Sequence, residues 1–253
     1  MQKSLKSKIV LKNVKLRIPI FSKSSNSIKK KILTTFSGGR ISVDKKIKSV
    51  LALNSVNCIL NEGERIALIG HNGAGKTSFI RLISGIYDPT EGTIERNVDV
   101  YPLIEKSFIV EEELTGLDSA KAHYLIINNS LIGFEKFLDY ILDSSGIGEF
   151  LYLPLKTYSE GMASRLTFAL LTYHKHDCLA LDETIGTGDQ NFYKKAQKRL
   201  NKYLTSNGML ILSSHSNDLL RRFCTRGLVF SSGSIIFDGN LEDALNFYDE
   251  TNN

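Results

Sequence analysis

The run Gly70-His71-Asn72-Gly73-Ala74-Gly75-Lys76-Thr77 has residue types and spacing that suit one kind of chemistry, the holding of a phosphate chain. It fits the pattern G-x-x-x-x-G-K-[ST], in which glycines let backbone N–H groups close around phosphate oxygens without a Cβ in the way. A helix starting near Lys76 would add the favourable end of its dipole to those amides. Lys76 would reach the β- and γ-phosphates, Thr77 would set its hydroxyl on Mg2+, and Ser78 would follow on the same helical turn. The plain alternative is a Gly-rich turn with an incidental lysine. The apolar strand RIALIG before the run and the helical stretch TSFIRLISGI after it favour phosphate binding.

Three more stretches could complete such a site. Cys178-Leu179-Ala180-Leu181-Asp182-Glu183 is an apolar strand ending in two carboxylates. Asp182 can hold Mg2+ directly or through water, and Glu183 is placed to act as general base on an attacking water. Ser213-Ser214-His215 ends another apolar strand, where a neutral imidazole can hydrogen-bond the γ-phosphate and the same water. In KTYSEGMASRL (156–166), Ser159 is a good helix N-cap and Gly161 can expose its amide to an anion. Taken singly, each has a plainer reading: an acidic turn, a structural histidine, an ordinary helix start. Glu160 would repel a triphosphate, so its side chain is expected to point away.

The elements that must position these residues can be read from periodicity. Residues 8–15 alternate as an opening strand, 50–60 read as one or two strands, 65–70 as a short buried strand, and Gly92-Thr93-Ile94 as the start of another. Residues 22–47 are rich in Ser, Lys and Gly and read as a loop or loosely held insert. From 111 to 150 the pattern becomes helical, with Leu125, Ile126, Leu131, Phe134, Phe137, Leu138, Ile141 and Leu142 at three- and four-residue steps. Short apolar strands return at 178–182, 208–215 and 227–239, with helices between. This alternation implies an α/β fold with a mainly parallel sheet covered on both faces, interrupted by a helical stretch.

In this order, the phosphate loop, the Ser159–Gly161 turn, the strand ending in Asp182-Glu183 and the strand-end His215 resemble the ATP-binding cassette (ABC) ATPases. The resemblance runs from about residue 8 to 245. It implies a P-loop NTPase of ABC type over residues 1–253. The RecA-like core, about 1–100 and 176–245, would carry an antiparallel β subdomain. A helical subdomain would span about 105–175, and a flexible polar insert about 22–47. Tyr158-Ser159-Glu160-Gly161-Met162 stands where the family has L-S-G-G-Q, with Glu160 in place of a glycine. Gly186-Thr187-Gly188-Asp189 matches the family's D-loop, which makes Asp189 a candidate nucleotide-site residue. Within the family the chain looks most like the ATPases of polysaccharide exporters. The residues that carry this are Pro154-Leu155-Lys156-Thr157-Tyr158, Gly188 to Phe192, and Glu113-Leu114-Thr115-Gly116. The family's Q-loop glutamine is missing, with Glu105 or Lys106 nearby, and Phe21 is a weak candidate for stacking on adenine.

The resemblance further implies ATP and Mg2+ as ligands and a second copy of the chain, each phosphate loop facing the other copy's Ser159–Gly161 turn. It also implies a separate transmembrane permease, met near 105–125, and a place on the cytoplasmic face of the inner membrane. Some exporters of this type carry an added carbohydrate-binding domain, for which this chain is expected to have no room. Alternatives are the ATPase of another transport system, a soluble ABC ATPase acting on nucleic acid, and a nucleotide switch that only binds ATP. A net charge of +5 is modest for nucleic-acid work, and Glu183 with His215 argues against a pure switch. No apolar run approaches the about 18–20 residues that span a bilayer. The basic N-terminus has no apolar core of a secretory signal. Cys58, Cys178 and Cys224 are too widely spaced for a metal pair and read as reduced thiols. Lys29-Lys30-Lys31 reads as a solvated loop, with anionic lipid headgroups or a partner protein as the alternatives. His174 and His176 read as a solvated helix end rather than a metal site, and Phe108, Phe134, Phe137 and Tyr140 as core or a groove for a partner helix rather than a base-stacking platform.

Overall fold

The computed structural model describes residues 8–20, 41–43, 48–103, 111–182, 201–205 and 208–252. They fall into two compact units, one holding the described residues up to 103 with 176–182 and 208–252, the other holding 111–175 with 201–205.

The first unit contains two sheets. The smaller is antiparallel, in the order β2 (Ile41–Val43), β3 (Lys48–Asn61), β1 (Lys8–Ile20), β5 (Glu91–Arg96). β1 and β3 pair along their length from Lys8↔Asn61 to Ile20↔Lys48, interrupted by bulges near Asn13 and Leu16. The opening strand is therefore longer than its alternating core, and residues 50–60 belong to one strand. A short strand at 41–43 also lies inside the stretch read as loop. Its pairing with β3 supplies the order that its composition does not advertise.

The larger sheet runs β10 (Ser234–Asn240), β9 (Arg226–Ser231), β4 (Arg65–Ile69), β8 (Met209–Ser213), β7 (Cys178–Asp182), β6 (Val100–Leu103). β9, β4, β8, β7 and β6 are parallel to their neighbours, and β10 returns antiparallel on β9. The stretch 227–239 is thus a hairpin around Ser232-Gly233, not one strand. Helix α1 (Lys76–Ile83) lays Phe79, Ile80, Leu82 and Ile83 on one face of this sheet. There they join Ile66, Leu68, Cys178, Ala180, Met209 and Ile211 in a continuous core. α1 stops three residues short of the expected Ile86: the Gly85 amide turns back to the Leu82 carbonyl, which Arg96 Nη2 also caps at 2.8 Å. Later in the chain, α5 (Asn217–Phe223) joins β8 to β9, and α6 (Leu241–Asn252) packs Ala244 against Gly227. Arg226, half-buried, grips Asp238 with two 2.7 Å bonds and reaches Glu64 at 2.7 Å, tying β9 to β10 and to the turn before β4. All three cysteines are free and buried, which pushes each thiol up to about 12 and leaves it inert.

The second unit is helical: α2 (Gly116–Asn128), α3 (Phe134–Ser145), two 3-10 turns (Gly148–Tyr152 and Leu155–Thr157) and α4 (Glu160–Thr172). Its core is Ala120, Tyr124, Phe137, Ile141, Leu151, Leu166 and Leu170. Phe134, Phe137 and Tyr140 pack as expected. Leu125, Ile126 and Leu131 do not: they are 39%, 73% and 41% exposed. α2 buries the face through Ala120, His123 and Tyr124. Residues 125 and 126 follow at about 100° steps off that face, and Leu131 lies in the turn between helices. Among the described residues no helix is long and apolar enough to cross a membrane.

The two late histidines are not a solvated helix end. α4 stops at Thr172, and His174 packs edge-on against Tyr173 while its Nε2 meets Asn128 Nδ2 at 3.3 Å. His176 stacks on Tyr101 with ring centroids 3.9 Å apart. No metal-type cluster of three ligands occurs among the described residues.

His123 on α2 is 4% exposed, stacked along Phe137 of α3, and its Nε2 has no partner among the described residues. Burial, with His174 nearby, pushes its pKa down to about 4, against a backbone hydrogen bond at Leu170 of α4. The folded state therefore prefers neutral imidazole, and the unfolded chain takes up more protons between about 4 and 6.5. The stability involved is complete above pH 6.5 and is lost as pH falls toward 4. At pH 5 the loss is about 2 kcal/mol. Urea unfolding at pH 7 and pH 5 should show this loss in the wild type and a smaller one in His123→Gln. Equal losses in both would remove His123 as the cause.

Candidate functional site

Gly70 to Thr77 leave the carboxyl end of β4 and turn into α1. The turn is braced from behind: the Ala74 amide bonds the His71 carbonyl at 3.1 Å, and the Ala74 carbonyl accepts from Gly233 N at 2.8 Å. Gly233 is in turn held to β3 through Asn54 N at 2.8 Å. Gly75 caps α1 with φ +118°, and a Cβ there would meet the Ala52 carbonyl at 3.0 Å, so both the conformation and the space demand glycine. With glycine as the cap, α1 has no side-chain cap hydrogen bond. α2, α4 and α5, by contrast, are closed by Thr115, Ser159 and Ser216. His71, Asn72 and Gly73 are exposed, Ala74 is buried, and Gly75, Thr77 and Ser78 are half-buried.

Lys76 is 9% exposed, and its ammonium folds back on the loop, donating to the carbonyls of Gly70 at 2.5 Å and His71 at 3.2 Å. A phosphate entering the loop offers stronger, charged acceptors in place of those neutral carbonyls. Thr77 Oγ1 donates to Asp182 Oδ2 at the end of β7. A hydroxyl and a carboxylate brought together are hard oxygen donors of the kind Mg2+ takes alongside phosphate oxygens and water, so the pair fits that ion.

The sheet explains how residues more than a hundred apart meet. β4, β8 and β7 are adjacent and parallel, with Leu68↔Ser213 and Asp182↔Ser213 in register. Gly70, Asp182 and the segment Ser213–His215 therefore emerge at the same carboxyl edge, where open α/β sheets hold ligands. His215 lies two residues past β8 and is exposed.

In the helical unit, Ser159 caps α4, its Oγ accepting from Met162 N at 3.2 Å. Glu160, the first helical residue, is exposed. A Cβ added to Gly161 would meet nothing nearer than Ser159 Oγ at 3.9 Å, so no neighbour in this unit requires that glycine. The stretches 113–116 and 154–158 turn out to be one clasp. Gly116 N bonds the Leu153 carbonyl at 3.2 Å, Leu155 N bonds Leu114 O at 2.9 Å, and Lys156 pairs with Glu113 at 2.7 Å. A Cβ on Gly116 would lie 2.2 Å from the Tyr158 hydroxyl, so glycine at 116 is what lets Tyr158 pack immediately before Ser159.

Of the expected site residues, Gly70 to Ser78, Asp182 and His215 share one unit, and Ser159 and Gly161 lie in the other. Glu183 and Asp189 lie outside the described residues, as do Gly186 to Gly188, Phe192, Glu105, Lys106, Phe108, Phe21 and Lys29 to Lys31. One contributor to the bracing of the loop escaped the sequence reading: Gly233, whose Ser-Gly turn signal was there to be used.

Residues 53–186 match the family described as ABC transporter. The chain is 34% identical to the O-antigen export system ATP-binding protein RfbE of Yersinia enterocolitica over 86% of this chain and 92% of that one. It is 34% identical to the ATP-binding protein BexA of Haemophilus influenzae over 79% and 90%, and 33% identical to the capsule polysaccharide export ATP-binding protein CtrD of Neisseria meningitidis over 78% and 89%. Its fold is similar to that of the ATP-binding cassette MJ0796 in a dimeric post-hydrolysis state bound to ADP and Pi. That likeness has a TM-score of 0.67 and 19% identity, and covers 92% of this chain and 98% of the other.

Proposed function

On the premise that this chain belongs to the ABC transporter family, we propose that it is the ATP-hydrolysing subunit of a polysaccharide exporter, driving a lipid-linked polysaccharide through a separate permease. Its place is then the cytoplasmic face of the inner membrane, held there by the permease. Similarity to export ATPases for O-antigen and capsule over most of both chains supports the cargo class. The observation that carries the chemistry is the Thr77–Asp182 pair beside the glycine-capped first turn of α1, with Lys76 folded over the same loop.

The amides of the 70–77 loop and of α1 receive the β- and γ-phosphates. Lys76 leaves the carbonyls of Gly70 and His71 and turns its ammonium to the phosphate oxygens. The Thr77 hydroxyl and Asp182 carboxylate would hold Mg2+, which supplies charge neutralisation on the phosphates. Glu183 takes a proton from the attacking water, and His215 aligns that water with the γ-phosphate. In a pair of chains, Ser159 and the open backbone at Gly161 close on the γ-phosphate held by the other copy, and the resemblance to the family's D-loop assigns Asp189 to the same nucleotide site. A glycine that nothing in its own unit requires suits an approach from outside.

Depleting this chain from its cell tests the cargo. The polysaccharide should accumulate on its carrier inside, and Lys76→Ala should fail to restore export. Normal surface polysaccharide without the chain would contradict the assignment.

A further inference from the structure

Ser213 is completely buried, and its hydroxyl has no hydrogen-bond partner among the described residues. Buried polar groups are almost always satisfied, so an orphan beside a ligand site asks what completes it. Side chains alternate along a strand. On β8, Met209 and Ile211 point to the face that carries α1, and Ser213 continues that row. On β7 the same row is Cys178, Ala180 and Asp182. Asp182 and Ser213 are register partners on neighbouring parallel strands, about 4.8 Å apart. Their side chains leave neighbouring strands on the same face, which sets the Ser213 hydroxyl beside the Asp182 carboxylate. That carboxylate now takes its side-chain hydrogen bond from Thr77.

From this juxtaposition we infer that Ser213 is a positioning residue for the metal site. It donates to the Asp182 carboxylate when the Thr77 hydroxyl oxygen turns to Mg2+. The proposal rests on the reading of Thr77 and Asp182 as the Mg2+ pair. The two hydroxyls then exchange roles: Thr77 holds the carboxylate before loading, and Ser213 holds it after. Partners that orient a metal's ligands set the affinity for the metal without touching it.

The test is equilibrium binding of a fluorescent ATP analogue to the full chain, titrated with Mg2+ and repeated in EDTA. Ser213→Ala should raise the Mg2+ concentration for half-maximal enhancement about tenfold. Its affinity in EDTA and its melting temperature should not fall, because a hydroxyl with no partner is removed. Ser213→Thr, which keeps the hydroxyl, should stay near the wild type, and Thr77→Ala should lose the Mg2+ response. An unchanged Mg2+ requirement in Ser213→Ala, with Thr77→Ala impaired, overturns the role of Ser213 alone. An equal loss with and without Mg2+ makes Ser213 a packing residue and overturns it too. A wild type indifferent to Mg2+ removes the metal pair itself and the inference with it.

Discussion

Lys76→Ala should bind ATP about a hundredfold more weakly than the wild type, the loss of about 3 kcal/mol expected when charged hydrogen bonds to a buried ammonium disappear. Lys76 is 9% exposed, and its ammonium sits on the adjacent carbonyls of Gly70 and His71. It is pre-positioned, and little else can take its place. The loop itself should survive, because its backbone braces through Ala74, Gly233 and Asn54 remain when the lysine's bonds to the Gly70 and His71 carbonyls are lost. A melting temperature near that of the wild type, with nucleotide binding lost, is the expected pair of results. Retained binding would mean that the phosphates sit elsewhere.

Glu183→Gln should hydrolyse ATP about a thousandfold more slowly, within the range that general-base catalysis supplies. Binding should be unchanged, since Asp182 and the loop are intact and glutamine is nearly isosteric. The expected signature is a fall in kcat with KM unaltered, because the base acts on water only in the transition state. If Glu183→Gln retained full turnover, the proton would have to leave by another group, and His215 would be the first to examine.

The sequence made the phosphate loop legible because its chemistry is local: eight consecutive residues fix the turn, and one strand and one helix fix its context. Asp182 was legible only in company. A strand ending in acid is ordinary until the sheet sets it in register with Ser213 and within reach of Thr77. The helical unit was legible as helices but not as surfaces. Periodicity marks Leu125 and Ile126 as apolar, yet only the packing of α2 on α3 and α4 decides which face is inside. The strand at 41–43 and the split of 227–239 into a hairpin depend on pairing partners that no local pattern announces. The Gly116–Tyr158 clasp joins two motifs that sequence could only note as co-occurring. His174 and His176 misled because a polar run past a helix end looks solvated, while Tyr124 and Tyr101, which pack on them, come from distant segments.

The central claim is that two copies close around ATP, each completing the other's site with Ser159 and Gly161. Light scattering on Glu183→Gln, with and without Mg2+ and ATP, tests it most directly. The account predicts one copy without nucleotide and two with it, and a return to one copy when Lys76→Ala is added. A single copy with ATP demonstrably bound, persisting when the permease is supplied, would contradict it and leave the Ser159 turn as no more than a helix cap.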